Sequence, residues 1–402
     1  MCSVEHKRYT EQILDSQVGM SRNIWCILGT RPECVKMAPV ISALRRLEGV
    51  SVLVVSTGQH RELVRQELAE FGIAIDLDLD VMLPNQSLAG LSARILGALD
   101  PLLEREKPDL LLVQGDTTSV MIAALCGFYR NIPVGHVEAG LRTNDIRRPF
   151  PEELNRRVAS LAATLHFAPT AGARVALLRE GISASQIYLT GNTVIDALLD
   201  TAKRYEKRAM LASKTILVTA HRRESFGEPI REICRAILDL AHAFPDYRFI
   251  YPVHPNPNIS GPVHELLGNH SAVTLCAPLG YADLVCTLRD CHFVMTDSGG
   301  IQEEAPALGK PVLVLREETE RPDAVKYGAA LLVGTDRKKI IAEATRLLTS
   351  VPDYLAMKSA GSPYGDGEAS RRIAAICVAF LKGTGPKVDE FSFAPQEPRH
   401  VS

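Results

Sequence analysis

Where the short apolar runs of this sequence end, residues able to bind anions or move protons begin. Residues 23–28 lead into Gly29-Thr30-Arg31-Pro32-Glu33 and a helical segment carrying Lys36, which sets two cations and a helix N-terminus at one place and suits an anion. Residues 109–114 lead into Gly115-Asp116-Thr117-Thr118, and residues 133–137 into Glu138-Ala139-Gly140-Leu141-Arg142-Thr143, so each run delivers one carboxylate. Asp116 would also serve as the N-cap of the helix that follows, whereas Glu138 has no such local role. A third carboxylate comes from Glu152-Glu153, behind Arg147-Arg148-Pro149-Phe150-Pro151, at a helix start where the macrodipole favours acids by itself. The two prolines there stiffen the loop in the way a positioned catalytic group needs.

In the second half, residues 215–219 lead into His221-Arg222-Arg223-Glu224, and residues 248–253 into His254-Pro255-Asn256-Pro257. No carboxylate accompanies either histidine at ligand spacing and arginines stand beside His221, so phosphate contact is the better reading and no metal is expected. Thr296-Asp297-Ser298-Gly299-Gly300-Ile301-Gln302-Glu303-Glu304 reads as a strand end, a small-residue turn and a helix start. Amides at Ser298, Gly299 and Gly300 can cradle a diphosphate there, and Glu304, one turn into the helix, can take ribose hydroxyls. The first turn lacks G-x-G-x-x-G, so no nicotinamide or flavin dinucleotide is implied, and no cofactor is expected.

The elements that must position these groups follow from periodicity. Continuous apolar runs at 23–28, 51–56, 109–114, 133–137 and 164–167 alternate with helical segments such as 34–47, 88–106 and 117–129. Buried runs alternating with helices mean a parallel sheet covered on both faces, an α/β doubly wound domain. The pattern restarts after residues 194–208, with strands expected at 215–219, 248–253, 273–275, 292–296 and 311–315. Two Rossmann-like domains are therefore expected: 22–192 after a polar leader at 1–21, and 193–368, with an amphipathic helix at 369–381 and a disordered tail at 382–402. Ligands of such sheets bind beyond the carboxyl ends of the strands, where the chemical residues stand.

Composition narrows the partners. The 402 residues are 46% hydrophobic, enough for two cores. Lys plus Arg total 45 against 47 Asp plus Glu, with no basic block to track a nucleic acid or an anionic membrane. Nine cysteines without a C-x-x-C pair fit neither a disulfide framework nor a zinc ribbon and point to a reducing, cytoplasmic setting. No stretch is long and apolar enough to span a bilayer.

GTRPE-x-x-K-x-x-P, GDT, HVEAGLRT, PFPEELNR, HRRE, YPVH and TDSGGIQEEAP stand in the order seen in the non-hydrolysing UDP-N-acetylglucosamine 2-epimerases, and the resemblance runs over residues 23–381. It implies the GT-B architecture, with the active site in the cleft between the two domains and the helix at 369–381 crossing back to the first domain. It also implies a homodimer. Under it, Arg31, Lys36, Asp116, Glu138 and Glu152 resemble the family's first-domain active-site residues, and His221, Ser298 and Glu304 its UDP-handling residues, with Arg142, Arg222, His254, Gly299 and Gly300 beside them. Departures occur at Cys34, where Ala is usual, at Pro255, and at Arg147-Arg148. Gln59-His60-Arg61 keeps a motif that in some relatives holds a second, activating UDP-N-acetylglucosamine; the loop Met82-Leu83-Pro84-Asn85-Gln86 lacks an arginine found there, so weaker activation is expected.

The chemistry agrees with these residues. C2–H of a sugar nucleotide has no adjacent carbonyl, so the C1–oxygen bond must weaken first, with the leaving UDP charge held by cations and amides. A carboxylate then takes the C2 proton, and its return to the opposite face inverts C2 before UDP adds back, which calls for at least two acid/base groups. A glycosyltransferase would need one base and an acceptor pocket, a hydrolysing relative would release the sugar, and a non-catalytic sensor would have lost the carboxylates. More decorated UDP-acetamido sugars stay open as substrates.

Overall fold

The computed structural model describes residues 21–58, 61–83, 85–208 and 214–393, the side chains of 61–63 aside. Two parallel sheets carry the chain. The first holds β1 (Arg22–Leu28), β2 (Val50–Ser56), β3 (Leu77–Asp78), β4 (Leu110–Gln114), β5 (Val134–Val137), β6 (Leu165–Ala168) and β7 (Ile187–Leu189), in the order β3-β2-β1-β4-β5-β6-β7. Its helices are α1 (Arg31–Arg45), α2 (Arg61–Glu70), α3 (Leu88–Glu106), α4 (Thr118–Tyr129), α5 (Glu152–Ala162) and α6 (Ala171–Arg179), and α7 (Thr193–Arg204) leads to the second sheet.

That sheet holds β8 (Thr215–Thr219), β9 (Arg248–Pro252), β10 (Val273–Cys276), β11 (Phe293–Thr296), β12 (Val312–Val314) and β13 (Ala330–Leu332), in the order β10-β9-β8-β11-β12-β13. It is covered by α8 (Glu228–Ala243), α9 (Pro257–Leu267), α10 (Tyr281–Asp290), α11 (Gly299–Ala307), α12 (Pro322–Lys326), α13 (Arg337–Thr349) and α14 (Val351–Lys358), after which α15 (Ala369–Leu381) returns to the first domain. β4 and β8 are buried at every residue, the signature of a strand covered on both faces. β3, β7 and β13, absent from the sequence expectation, are two- or three-residue edge strands, too short to show a period.

Strand order reverses between β1 and β4 and again between β8 and β11. The loops after these strands open the crevice where doubly wound sheets take ligands. Helix starts there are fixed by local chemistry: Thr117 caps α4 by accepting from the Val120 amide, and Asn192 caps α7 by accepting from the Val194 amide. Asp116 is therefore not the cap of α4.

The domains share one apolar seam. Val35 of α1 joins Val194, Ile195 and Leu198 of α7 in a buried cluster with Leu217, Val294 and Ala305 of the second domain. Ile373, Ala374, Ile376 and Cys377 of α15 complete the first domain's core beside Met37, Ile41 and Leu44. Up to residue 393 the segment expected to be disordered from 382 is tied down instead. The Phe391 amide donates to the Leu189 carbonyl (2.9 Å), Arg372 Nε to the Asp389 carbonyl (2.9 Å), Glu390 pairs with Arg174 (2.7 Å), and the Phe393 ring meets Tyr327 of the second domain. Its Pro/Gly-rich composition hides two aromatic anchors.

β5 ends in a tight turn. Glu138 has φ +63°, uncommon for a non-glycine residue, and Gly140 has φ +91°. A Cβ on Gly140 would collide with the Ala173 carbonyl oxygen on α6. We expect Gly140→Ala to destabilise the protein by at least about 1–3 kcal/mol, seen as a lowered urea midpoint; an unchanged midpoint would show that the turn relaxes freely.

Candidate active site

The first sheet's half of the site is built on α1. Glu33 is buried and fastens the loop before it, accepting from the Gly29 amide (2.6 Å) and the Thr30 hydroxyl (2.9 Å). Burial pushes its pKa up to about 7. Arg31 is half-buried and its Nε pairs with Glu67 of α2 at 2.5 Å. One turn on, Lys36 Nζ lies 2.6 and 2.7 Å from the two oxygens of Glu138. The anion expected between Arg31 and Lys36 thus meets cations already paired with carboxylates of the protein.

Glu138 is also bonded by Gln114 of β4 and by Asn192 Nδ2 (3.0 Å). The same Nδ2 donates to Glu303 of α11 at 2.6 Å, and Glu303 pairs with Arg321. Lys36, Glu138, Asn192, Glu303 and Arg321 form one chain from the first domain to the second, buried at its centre and partly buried at its two cations. Burial works against the charge on Glu138, but Lys36 and Arg321 outweigh it and its pKa is lowered. Lys36, desolvated but facing Glu138 and Glu303, has its pKa raised. The neighbouring His136 gives its Nε2 to the Gly115 carbonyl (2.7 Å), and burial drives its pKa down to about 3, so it is a neutral strut for the Gly115-Asp116 turn.

Asp116 pairs with Arg156 of α5, and its carbonyl accepts from Asn155 Nδ2 (2.9 Å). The two acids at the start of α5 separate cleanly. Glu153 is fully buried and holds the Thr143 amide (3.1 Å), Arg157 (3.0 Å) and Arg156 (3.4 Å), so it fastens the loop. Glu152 keeps a buried Oε2 with no hydrogen-bond partner, a feature that calls for an explanation. Arg142, expected at the substrate, is committed elsewhere: its guanidinium is bidentate on Glu180 (2.8 Å twice) and touches Ser160 (3.0 Å).

In the second half a residue that sequence reasoning passed over, Asp297, organises the loop after β8. It is fully buried, and its Oδ2 accepts from the amides of His221 and Arg222 (2.8 Å each) and from Ser225 Oγ (3.1 Å). The His221 ring stacks on His254 with centroids 5.8 Å apart. Burial lowers the His221 pKa, with His254 and Arg222 acting in the same direction against Asp297. Arg222 pairs with Glu320 (2.8 Å), which Arg316 holds from its other side (2.6 Å); the surrounding Arg222, Arg321 and Arg316 overcome burial and bring the Glu320 pKa down to about 2.

A Cβ on Gly299 would stand 3.1 Å from Glu320 and 3.3 Å from Arg222, so both side-chain ends would have to give way slightly, whereas Gly300 opens outward. The Ser298 amide, expected in the diphosphate cradle, is spent on Thr296 Oγ1 (2.9 Å), and Gly299 and Gly300 form the first turn of α11. Among the described residues no three His, Cys, Asp or Glu side chains cluster as metal ligands. Gln59 and His60 lie outside the described residues, as does the Arg61 side chain.

The UDP-N-acetylglucosamine 2-epimerase family matches residues 42–378. The chain belongs to that family. A UDP-N-acetylglucosamine 2-epimerase of Escherichia coli is 49% identical over 360 residues, 86% of this chain and 96% of its own length. The crystal structure of the Neisseria meningitidis epimerase bound to UDP-GlcNAc is 44% identical with a TM-score of 0.83, covering 90% of this chain and 100% of that one. A UDP co-structure from S. aureus is 39% identical with a TM-score of 0.82, covering 92% and 100%. This epimerase, an isomerase by family, therefore has the GT-B architecture that the motifs implied.

Asn192, Glu303, Arg321 and Gln114 were not singled out from the epimerase sequence. Glu303 sits in the quoted TDSGGIQEEAP motif, but choosing between adjacent acids needs the helix phase. Glu304 is also buried, and burial, with Glu303 beside it, outweighs Tyr281 and Lys36 and pushes its pKa up to about 7. A carboxylate with a raised folded pKa stabilises fully below its ordinary value near 4.5 and loses that contribution as pH rises through about 7. Glu304→Gln should therefore make the unliganded enzyme more stable at pH 8 by up to about 3 kcal/mol, with no gain at pH 4.5. Urea unfolding at both pH values reads this, and equal gains at the two would contradict it.

Proposed function

We infer that the protein inverts C2 of UDP-N-acetylglucosamine to give UDP-N-acetylmannosamine without hydrolysing it, by eliminating UDP and adding it back across a 2-acetamidoglucal. The observation that carries this reading is the contrast among the carboxylates: Glu138 is held ionised by Lys36 and Arg321, Asp116 is paired with Arg156, and Glu152 has a buried oxygen with no partner. Chemistry on two faces of one carbon calls for groups in different states.

In this reading the C1–oxygen bond breaks with its electron pair leaving on UDP. Arg222, the neutral His221 with His254 behind it, Arg31 oriented by Glu67, and the Gly299 and Gly300 amides hold the diphosphate. Ser298 starts that turn, and Glu304 takes ribose hydroxyls. Loss of UDP acidifies C2–H; one carboxylate of Asp116, Glu138 and Glu152 removes the proton, and another returns one to the opposite face. The UDP oxygen then re-forms its bond to C1. Lys36 keeps Glu138 charged and placed. Arg142, bound to Glu180, is left out of the substrate contacts.

The same reading includes a homodimer, supported by the exposed apolar side chains Phe128 and Tyr129 on α4 and Leu154 and Leu161 on α5. A cytoplasmic setting is supported by eight free cysteines among the described residues, seven of them buried. No helix among the described residues is long and apolar enough to cross a membrane. Gln59, His60 and Arg61 are proposed to admit a second UDP-N-acetylglucosamine as a weak activator.

Incubation with UDP-N-acetylglucosamine alone in deuterated water, followed by NMR, tests the reaction. The expected product is UDP-N-acetylmannosamine with deuterium at C2; accumulation of UDP and free sugar, or no C2 label, overturns the reading. Asp116→Asn, Glu138→Gln and Glu152→Gln should each lose turnover by roughly 100- to 10,000-fold while still binding UDP in calorimetry. Near wild-type turnover would strike that residue from the mechanism. Activity should also persist after exhaustive EDTA treatment with no added NAD, and strict dependence on either would refute the cofactor-free scheme.

A further inference from the structure

Asn192 is 2% exposed and sits where the first domain hands over to α7. Its main chain is pinned by a 2.6 Å bond from its amide to the Tyr364 carbonyl, and a Cβ on Gly365 would stand 3.2 Å from its own carbonyl oxygen. The side chain has one orientation that satisfies its surroundings. Oδ1 accepts from the Val194 amide at 3.2 Å, which turns Nδ2 toward Glu138 and Glu303; the reverse orientation would set an oxygen against two carboxylates.

We propose that Asn192 is a positioning residue for the reaction, its single amide nitrogen holding the Glu138 carboxylate ionised and aimed by bridging it to Glu303 of the second domain. The groups facing Glu138 are Lys36 from α1, Arg321 from the loop before α12, Glu303 from α11, neutral Gln114 from β4 and His136 from β5, which is itself uncharged. Two acids and two bases balance, but the acids lie on one donor. Without Asn192, the Glu138 and Glu303 oxygens face each other with no proton between them, and Glu138 keeps only Lys36 and Gln114 as direct partners. Because Glu303 and Arg321 belong to the second domain, the donor also ties the state of Glu138 to the seating of that domain.

This inference rests on the reading of Glu138 as a proton-handling group. Asn192→Ser separates the bridge from the helix cap, since serine caps α7 as well as asparagine but is too short to reach both acids. Loss of a donor to the ionised form raises the Glu138 pKa, so the acid limb of the kcat–pH profile should move up by about one pH unit. We expect kcat to fall roughly 10-fold or more while KM and calorimetric UDP binding stay close to wild type. Glu303→Gln removes the like charge and should move the limb down. An unmoved limb in both variants, or an Asn192→Ser protein that does not fold, assigns Asn192 to stability alone and overturns the proposal. If Glu138→Gln is itself active, the reading of Glu138 fails; if it is inactive while the Asn192→Ser limb stays in place, only this inference fails.

Discussion

A buried pair of opposite charges, Lys36 and Glu138, is the constraint on which the rest of the site depends. Neither ion would be tolerated alone, because an uncompensated buried charge costs more than most single interactions supply, and breaking such a pair by removing one partner costs about 3–5 kcal/mol. The pair therefore dictates its surroundings. The left-handed backbone at Glu138 persists because Lys36, Gln114 and Asn192 all fix its carboxylate from different elements. Gly140 follows because the turn must then pass close under α6. The first domain cannot place Glu138 fully without Asn192, and Asn192 is not fully used without Glu303. The apolar seam of Val35 with α7 aligns the two halves, and the charged chain sets their register.

The second domain uses the same device with other residues. A fully buried acid at a strand end, Asp297, gathers amides and a hydroxyl from the loop after the neighbouring strand, so that His221 and Arg222 emerge with fixed directions. Arg222 is then held by Glu320, and Glu320 by Arg316. The result is a second half rich in oriented cations and amides, opposite a first half rich in carboxylates. A sugar nucleotide with an anionic diphosphate at one end and a proton to lose at the other matches that division.

Much of this was legible in the sequence because doubly wound sheets put chemistry at strand ends, and strand ends can be read from apolar runs. Asp116, Glu138, His221 and the Ser-Gly-Gly turn were placed at strand ends on that ground, and there they stand. What stayed hidden depends on side-chain direction. Glu152 and Glu153 are adjacent acids at one helix start, yet Glu153 is a fully bonded fastener and Glu152 keeps a buried oxygen with no partner; only the helix phase tells them apart. Asp116 looked like a cap until Thr117 was seen in that role. Arg142 stands in the HVEAGLRT motif, but Glu180, 38 residues on, binds it. Asn192 and Arg321 lie outside any patterned motif, since their partners are far away in sequence. β3, β7 and β13 are too short for periodicity, and the described segment after α15 is anchored by two phenylalanines in otherwise polar surroundings.

That anchored end gives the molecule an awkward order of assembly. α15 and residues 389–391 complete the core of the first domain and bond to the end of β7, although they follow the second domain in the sequence. Until α15 is made, the first domain has a gap beside α1 and an exposed edge at β7, and both stay open while the second domain is still being added. Such edges and gaps are where nascent chains stick to one another. Of the two domains, the one born first is therefore finished only after the other.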